Sequence, residues 1–254
     1  DENTGNPEFQ LANNSIAYTE RPNIETYMRE MTALIESKSG ERGIYNKAAA
    51  KAQAAKWGRR SKDIEYGTNP CSEIILRDKQ FCNLTEVVVR ESDSFETLKR
   101  KVELATILGT IQSTLTDFKY LSADWKKNTE EERLLGVSLT GIMDCTLTNQ
   151  STLHEYPEGV FKDPLAEMLE TLRYHTRETN ELWANLLGIP ESSAITCVKP
   201  SGTVSQLVNS ASGIHARHNP YYIRRIRMDK KDPIYEFLKD KGMVVEDDAR
   251  NKDS

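Results

Sequence analysis

The chain has 254 residues, a formal net charge of −5, 37% hydrophobic residues and 29% charged residues. That is a globular composition with enough apolar material for one large domain or two small ones. It excludes a broad polycationic surface for nucleic acid, and with no run of about 20 apolar residues it excludes a membrane-spanning helix. Four cysteines, Cys71, Cys82, Cys145 and Cys197, make no disulfide framework in a chain this long, so a reducing, cytoplasmic setting is expected. No secretory leader is read, and a chain that opens Asp-Glu-Asn-Thr-Gly without Met is expected to be an internal or processed piece.

Residues 1–22 are polar around a short apolar run, which predicts a strand near Ser15–Tyr18 and a turn at Arg21-Pro22. Asn23 stands where a cap would open a helix from Ile24 to about Ser37. Ile24, Tyr27, Met28, Met31, Leu34 and Ile35 recur there at helical spacing, which predicts a core face. Lys47–Lys56 is Ala-rich and favours a second helix. Arg59-Arg60 reads as a solvated charge run.

The stretch 66–90, YGTNPCSEIILRDKQFCNLTEVVVR, carries the most chemistry. Cys71 and Cys82 flank a tight reversal expected at Arg77-Asp78-Lys79. If the first arm is extended, the two-residue pleat sets Asn69, Cys71 and Glu73 on one face: an amide, a thiol and a carboxylate. A cysteine that only fills space does not need those polar neighbours, because burying them requires hydrogen bonds. Zinc is not expected, since no second close pair of Cys or His ligands stands nearby. Leu84–Val89 is β-branched and apolar enough for a buried strand.

Asp93 and Ser94 open a helix expected to run through Phe118, with Glu96 completing a capping box. Its apolar residues are Phe95, Leu98, Val102, Leu104, Ile107, Leu108, Ile111 and Leu115. Helix is expected again from Asn128, and the glycines of Leu135–Gly141 mark a close backbone approach. Cys145 reads as a buried structural thiol, and 146–162 as a polar loop. Asp163-Pro164 opens a helix to Leu187 that Gly188 terminates; His175 on it reads as a surface or packing residue. Ala194–Val198 is a short strand. Lys199–Gln206 then reads as strand, turn and helix start. The free N–H groups there, with the Ser201, Thr203 and Ser205 hydroxyls after Pro200, form a seat for an anion that Gly202 lets approach. An ordinary capped helix fits the same string, and the P-loop pattern is absent. His215 and His218 have metal-like spacing but no acid or thiol beside them. Tyr221–Arg227 predicts a strand with arginines on one side, and Asp232-Pro233 opens a last helix ending near Gly242.

N-P-C-S-E-I-I-L, followed eleven residues after its cysteine by C-N-L-T-E-V, resembles the active-site region of ribonucleotide reductases, in the adenosylcobalamin-dependent class II form. E-R-L-L-G-V-S-L-T-G-I-M-D and P-S-G-T-V-S resemble the same family. The resemblance implies an α/β fold: part of a ten-stranded α/β barrel with the radical cysteine on an interior loop. Residues 1–254 would be one region, the second part of the catalytic barrel, with 66–90 as the cysteine loop and 194–227 as the phosphate turn and its following strand. The implied function is reduction of ribonucleotides to 2′-deoxyribonucleotides by thiyl-radical chemistry, as part of a longer or split enzyme. Cys71 would take the ribose 3′ hydrogen, Asn69 would hold the hydroxyls, and Glu73 would act as base. Cys82 would be one of two reducing thiols, its partner and a C-terminal cysteine pair lying outside this chain. Pro200, Ser201, Gly202, Thr203 and Ser205 would meet the substrate phosphates, with Asn14 and Ser15 on a strand beside the substrate. His215 and His218 would lie where substrate and cofactor approach. The implied cofactor is adenosylcobalamin. The implied partners are a ribonucleoside di- or triphosphate, a thioredoxin-like or other dithiol reductant, and the remaining fragments if the reductase is split. The family carries Gly where this chain has Ser72, and Pro where it has Arg42 and Ala216. Two other readings stand beside this one: an inactive nucleotide-binding or structural barrel piece, and a dithiol–disulfide oxidoreductase using Cys71 and Cys82.

Overall fold

The computed structural model describes residues 15–37, 43–149, 154–155, 161–162 and 164–247. Asn14, Arg42, Asp163 and the tail past Asp247 lie outside the described residues, as does most of the 146–162 loop. The chain divides into two compact units, residues 1–217 and 218–254.

The first unit opens with β1 (Ser15–Tyr18), α1 (Ile24–Ser37) and β2 (Gly43–Asn46). β1 and β2 pair in parallel, from Ser15 opposite Gly43 to Tyr18 opposite Asn46. Asn23 caps α1 as its sequence predicts, its Oδ1 accepting from the Thr26 N–H at 2.8 Å. The apolar stripe of α1 is not a core face: the helix buries no residue, and Ile24, Met28 and Ile35 are exposed. Helical spacing marks a stripe but does not supply the surface that covers it. Asn46 then caps α2 (Lys47–Ala55), accepting from the Ala49 N–H.

A short antiparallel hairpin, β3 (Gly67–Thr68) with β4 (Ile75–Leu76), follows. Next come β5 (Asn83–Val88), α3 (Phe95–Gln112), α4 (Ala123–Glu132) and β6 (Leu135–Thr140). β5 and β6 are parallel, with Asn83 opposite Leu135 and Val88 opposite Thr140. Thr196 bridges Val137 in parallel on the far side of β6, adding a third position to this layer. The predicted 194–198 strand is reduced to that single bridge. A 3-10 turn (Ile142–Asp144), α5 (Thr146–Asn149) and the pair β7 (His154–Glu155) with β8 (Phe161–Lys162) lead to α6 (Pro164–Leu187). Gly188 ends α6 in the left-handed region at φ +66°, as its C-terminal position predicts. α7 (Gly202–Leu207) closes the first unit's elements.

The two-residue period of the strands sorts their faces. Val87, Leu135 and Val137 point to one side and form the core with Leu98 and Val102 of α3 and Leu172 of α6. Fully burying a side chain such as Leu98 contributes about 1.5–3 kcal/mol. The other face carries Leu84, Glu86, Gly136 and Ser138, paired Leu84–Gly136 and Glu86–Ser138. Gly136 is needed there: a Cβ on it would stand 2.4 Å from Leu84 Cδ2 and 3.1 Å from Cys197 Sγ. This is the close approach that the glycines of this stretch predict.

α3 departs from its sequence reading at both ends. Ser94 is the N-cap, but its capping box is completed by Thr97 rather than by Asp93 and Glu96. Asp93 instead accepts from Lys101 Nζ at 2.6 Å. The helix stops at Gln112, short of Phe118. Its buried side is made partly of small residues, including Ala105, Thr106, Gly109 and Thr110, while Leu104, Leu108, Ile111 and Leu115 stay exposed. Small residues bring the helix close to the sheet: a Cβ on Gly109 would meet Leu135 Cδ2 at 3.4 Å. Buried threonine hydroxyls on this face return to the helix's own carbonyls, Thr106 to Val102 and Thr110 to Thr106. Asn180 of α6 donates to Thr110 Oγ1 and to Ser192 Oγ and accepts from the Ser192 N–H, which satisfies a buried polar crossing between α3, α6 and the 192 loop.

Arg59-Arg60 is not a solvated charge run. The Arg60 side chain is 4% exposed and pairs with Glu132, itself 7% exposed, at 2.8 Å. Arg60 also donates to the Ile75 carbonyl at 2.9 Å. Gln80 joins the group through Nε2 to Glu132 Oε2 at 2.6 Å. The network ties the end of α4 to the base of the β3–β4 hairpin.

In the second unit, Tyr221–Arg227 forms no strand. Alternation marks a strand only where another edge accepts its hydrogen bonds, and none does among the described residues. α8 (Pro233–Asp240) starts as predicted, with the Asp232 side chain accepting from the Ile234 N–H.

Candidate active site

The β3–β4 hairpin presents the loop 69–74. Asn69 and Ser72 close a turn, the Ser72 N–H donating to the Asn69 carbonyl at 3.0 Å. Pro70 and Cys71 fill its two central positions, and the fixed φ of proline suits the first of them. The segment is therefore not extended, and Asn69, Cys71 and Glu73 do not share a pleat face. A turn breaks the two-residue alternation. Cys71 projects at the tip and is exposed; β3 and β4 pair with no further strand among the described residues, so this part of the chain leaves the tip open. Asn69 turns inward, its Oδ1 accepting from the Ile74 N–H at 3.0 Å. Glu73 is driven under the loop, its side chain 3% exposed.

Ser72 sits in the left-handed region at φ +62°. That explains why a glycine suits this position. An L-residue there costs about 1–2 kcal/mol, against about 0.5–1 kcal/mol of extra chain entropy for glycine. Ser72→Gly is expected to raise stability by about 0.5–1 kcal/mol, read as a higher denaturant midpoint at unchanged slope. A lower midpoint would show that the Ser72 side chain holds the turn.

Both carboxylate oxygens of Glu73 are buried without a hydrogen-bond partner. The nearest cation is Lys199, whose Nζ is 3.7 Å from Glu73 Oε1. Cys82, at the start of β5, and Cys197, beside the Val137 bridge, lie in the same field. Burial pushes the Cys82 thiol up, Glu73 pushes it further, and Lys199 opposes them. Cys197 is pushed up to about 12 by burial first, then by Glu73 and Cys82, against Lys199. A carboxylate in low dielectric disfavours a thiolate beside it, so both thiols keep their hydrogen at neutral pH. All four cysteines are free, and Cys145 is buried as expected. Glu86 Oε1 and Ser138 Oγ, on the same strand face, are also buried without partners.

Lys199 leads into the turn that the sequence marked for an anion. Ser201 is left-handed at φ +54° and buried, with its Oγ unpartnered. Gly202 and Thr203 are exposed at the first turn of α7, and no atom lies within 4 Å of a Cβ placed on Gly202. Ser205 is turned inward, its hydroxyl donating to the Gly202 carbonyl at 2.8 Å. The run Ser210–Gly213 braces the turn from behind. The Ser212 hydroxyl donates to the carbonyls of Pro200 and Ser201. Gly213 packs so closely that a Cβ would be 2.7 Å from the Lys199 carbonyl oxygen. Its N–H donates to Thr140 Oγ1 at the end of β6. Arg217 locks this run through Asp144, Nε to Oδ1 at 2.8 Å.

The structure thus gathers Glu73, Cys82, Cys197 and Lys199, with the Pro200 turn continuing from Lys199. Cys71 stands apart at the exposed loop tip. Ser15 starts β1 and is exposed, with no hydrogen bond to this group; Asn14 lies outside the described residues. His215 and His218 are exposed, and no three His, Cys, Asp or Glu side chains among the described residues gather as a metal group. Sequence reading missed Lys199 and Cys197 as members of the site. The lysine's place immediately before Pro-Ser-Gly-Thr was the available signal.

The ribonucleotide reductase barrel-domain family matches residues 10–190. The chain belongs to that family. Among its relatives, the adenosylcobalamin-dependent ribonucleoside-triphosphate reductase of Levilactobacillus brevis is 30% identical over 238 residues, 85% of this chain and 31% of the relative. The corresponding enzyme of Lactobacillus acidophilus is 32% identical over 211 residues, 76% of this chain and 27% of the relative. A crystal structure of a B-12 dependent (class II) ribonucleotide reductase superposes with a TM-score of 0.66 at 25% identity, over 95% of this chain and 35% of that one. The Actinobacillus ureae class Id ribonucleotide reductase alpha subunit, at 17% identity and TM-score 0.58, shares the fold over 95% of this chain and 49% of its own. The chain spans about a third of the length of the curated relatives it matches. It is a mixed α/β piece of the ribonucleotide reductase barrel.

Proposed function

We propose that this chain carries the thiyl-radical centre of a ribonucleotide reductase and works as part of a longer or split enzyme. The observation that carries the reading is Glu73: a buried carboxylate with both oxygens free of hydrogen-bond partners, beside two thiols held in the S–H form. Such a carboxylate needs a ligand donor, and a ribose hydroxyl is one. Cys71 takes the 3′ hydrogen of the ribose onto its sulfur. Glu73 accepts the 3′-hydroxyl proton at a carboxylate oxygen while Lys199 holds the opposite charge 3.7 Å away. The 2′ hydroxyl leaves as water with a proton from the second reducing thiol, the 2′ carbon gains a hydrogen atom from Cys82, and Cys71 gives its hydrogen back to the 3′ carbon as Glu73 returns the 3′-hydroxyl proton. Cys82 ends in a disulfide with the second reducing cysteine that the family resemblance places outside this chain. The substrate phosphates rest on Gly202 and Thr203, with the unpartnered Ser201 hydroxyl beneath.

Adenosylcobalamin, carried in the names of the relatives, would supply the radical that removes the Cys71 hydrogen. The exposed thiol at the loop tip fits an abstracting group arriving from outside the hairpin. The exposed His215 and His218 are not gathered into a ligand set. Substrate would be a ribonucleoside di- or triphosphate, and the reductant a thioredoxin-like or other dithiol.

The raised Cys82 thiol disfavours the dithiol-exchange alternative, because exchange needs a thiolate nucleophile, whereas hydrogen-atom donation needs the intact S–H. The test is Glu73→Gln in the full-length enzyme, assayed with ribonucleotide, adenosylcobalamin and a dithiol. Deoxynucleotide formation should fall about 10²–10⁴-fold, the usual worth of a general base, with ribonucleotide binding retained. An unchanged rate would overturn the assignment.

A further inference from the structure

We propose that the cavity between α2 and α6 binds a phosphate-bearing anion the size of phosphate or pyrophosphate, at a site separate from the Pro200 turn. The cavity encloses about 220 Å³ and is lined by Arg59, Arg60, Arg173 and Arg177, with Trp57 and Glu73. Two of the four guanidiniums are already engaged. Arg60 is held by Glu132 at 2.8 Å. Arg173 pairs with Glu170 and lies over the Trp57 ring, 4.5 Å from its centroid. Arg59 and Arg177 form no ion pair among the described residues. Arg59 donates to the Ser192 carbonyl through Nη1 at 2.6 Å, yet its Nε is buried with no acceptor. Burial lowers the proton affinity of Arg59, as do Arg177 and Arg173 close by; Glu191 opposes them. Glu73, the one carboxylate on the lining, has Lys199 at 3.7 Å.

Two half-buried guanidiniums without an ion-pair partner among the described residues are stabilised when an anion joins them. Two positive charges match a dianion, and the guanidinium fork matches two phosphoryl oxygens. Size sets the upper limit. Pockets for drug-sized ligands run about 300–1,000 Å³, so this one takes a phosphate or pyrophosphate group rather than a whole nucleotide. A bound anion would join Arg59, after α2, to Arg177 on α6 and stabilise the folded state by mass action.

The test uses the full-length protein, titrated with inorganic phosphate and with pyrophosphate by calorimetry and by thermal unfolding. Saturable binding and a raised Tm are expected for at least one of them. Arg177→Gln, a change that keeps a good helix former, should weaken that binding at least about tenfold, the loss expected for a charge-assisted hydrogen bond. Arg59→Lys, which keeps the charge and removes the fork, should weaken it as well. Thr203→Ala, at the other turn, should leave in place the binding that Arg177→Gln weakens, whatever anion the Pro200 turn itself takes up. No saturable binding of either anion, equal binding in Arg177→Gln and wild type, or loss of that same binding in Thr203→Ala would each overturn the proposal.

Discussion

Cys71→Ala in the full-length enzyme is expected to abolish deoxynucleotide formation and any substrate-derived radical, while Cys82→Ala is expected to separate the two. The difference follows from the positions of the thiols. Cys71 stands alone at the centre of the Asn69–Ser72 turn, exposed, with Pro70 fixing the backbone before it. No other thiol shares that loop, so on the proposed reading removing its S–H removes the group that exchanges hydrogen with the 3′ carbon. Cys82 lies at the start of β5, in the field of Glu73 and Lys199. On the proposed reading its loss leaves the first hydrogen transfer intact but withdraws a reducing thiol from the 2′ position. Substrate radical should then form, and products of inactivation should accumulate in place of deoxynucleotide. The measurements are product chromatography and electron paramagnetic resonance, with ribonucleotide, adenosylcobalamin and a dithiol present. A dithiol exchanger would lose one shared activity equally in both variants. Residual deoxynucleotide from Cys71→Ala would end the reading of this chain as the radical centre.

The second large effect concerns the fold beneath that loop. Glu132→Ala is expected to cost about 3–5 kcal/mol of stability, the range for breaking a buried ion pair from one side. Arg60 would be left charged at 4% exposure, with the Ile75 carbonyl, Gln80 and the face of the Tyr66 ring around it but no carboxylate. Gln80 Nε2 would lose the shorter of its two hydrogen bonds and keep the Asn128 carbonyl. Against a total stability of about 5–15 kcal/mol for a typical domain, that loss is enough to loosen the hairpin that carries Cys71. Replacing Arg60 and Glu132 together by apolar residues of similar volume should recover much of it, since the desolvation of both charges is then avoided. Urea unfolding of the full-length protein measures both. A loss below about 1 kcal/mol for Glu132→Ala would mean that water reaches the pair.

The local signals in the sequence were read correctly where the deciding contact is local. Asn23, Asp232 and Gly188 bound their helices through groups a few residues away, and a cap looks the same in a peptide as in a fold. The glycines of Leu135–Gly141 announced a close approach, which Gly136 makes. The spacing of Asn69, Cys71, Glu73 and Cys82 singled out one stretch of chemistry, and the resemblance of the strings around them pointed to one family. It did not give the geometry, because Pro70 and the left-handed Ser72 turn an expected strand into a loop.

What only the tertiary structure decided depends on partners far away in sequence. Arg60 reads as a surface charge until Glu132, 72 residues on, is folded against it. Lys199 is one more lysine until the third parallel position beside β6 brings it to Glu73. Cys197 gains its raised thiol from the same convergence. The stripes of α1 and α3 have helical spacing, yet the face that α3 buries is partly its small-residue side, because Gly109 and Ala105 let the sheet come closer than a leucine would. Tyr221–Arg227 alternates like a strand and is not one, because alternation supplies side chains for a sheet but not the neighbouring backbone that must accept its hydrogen bonds.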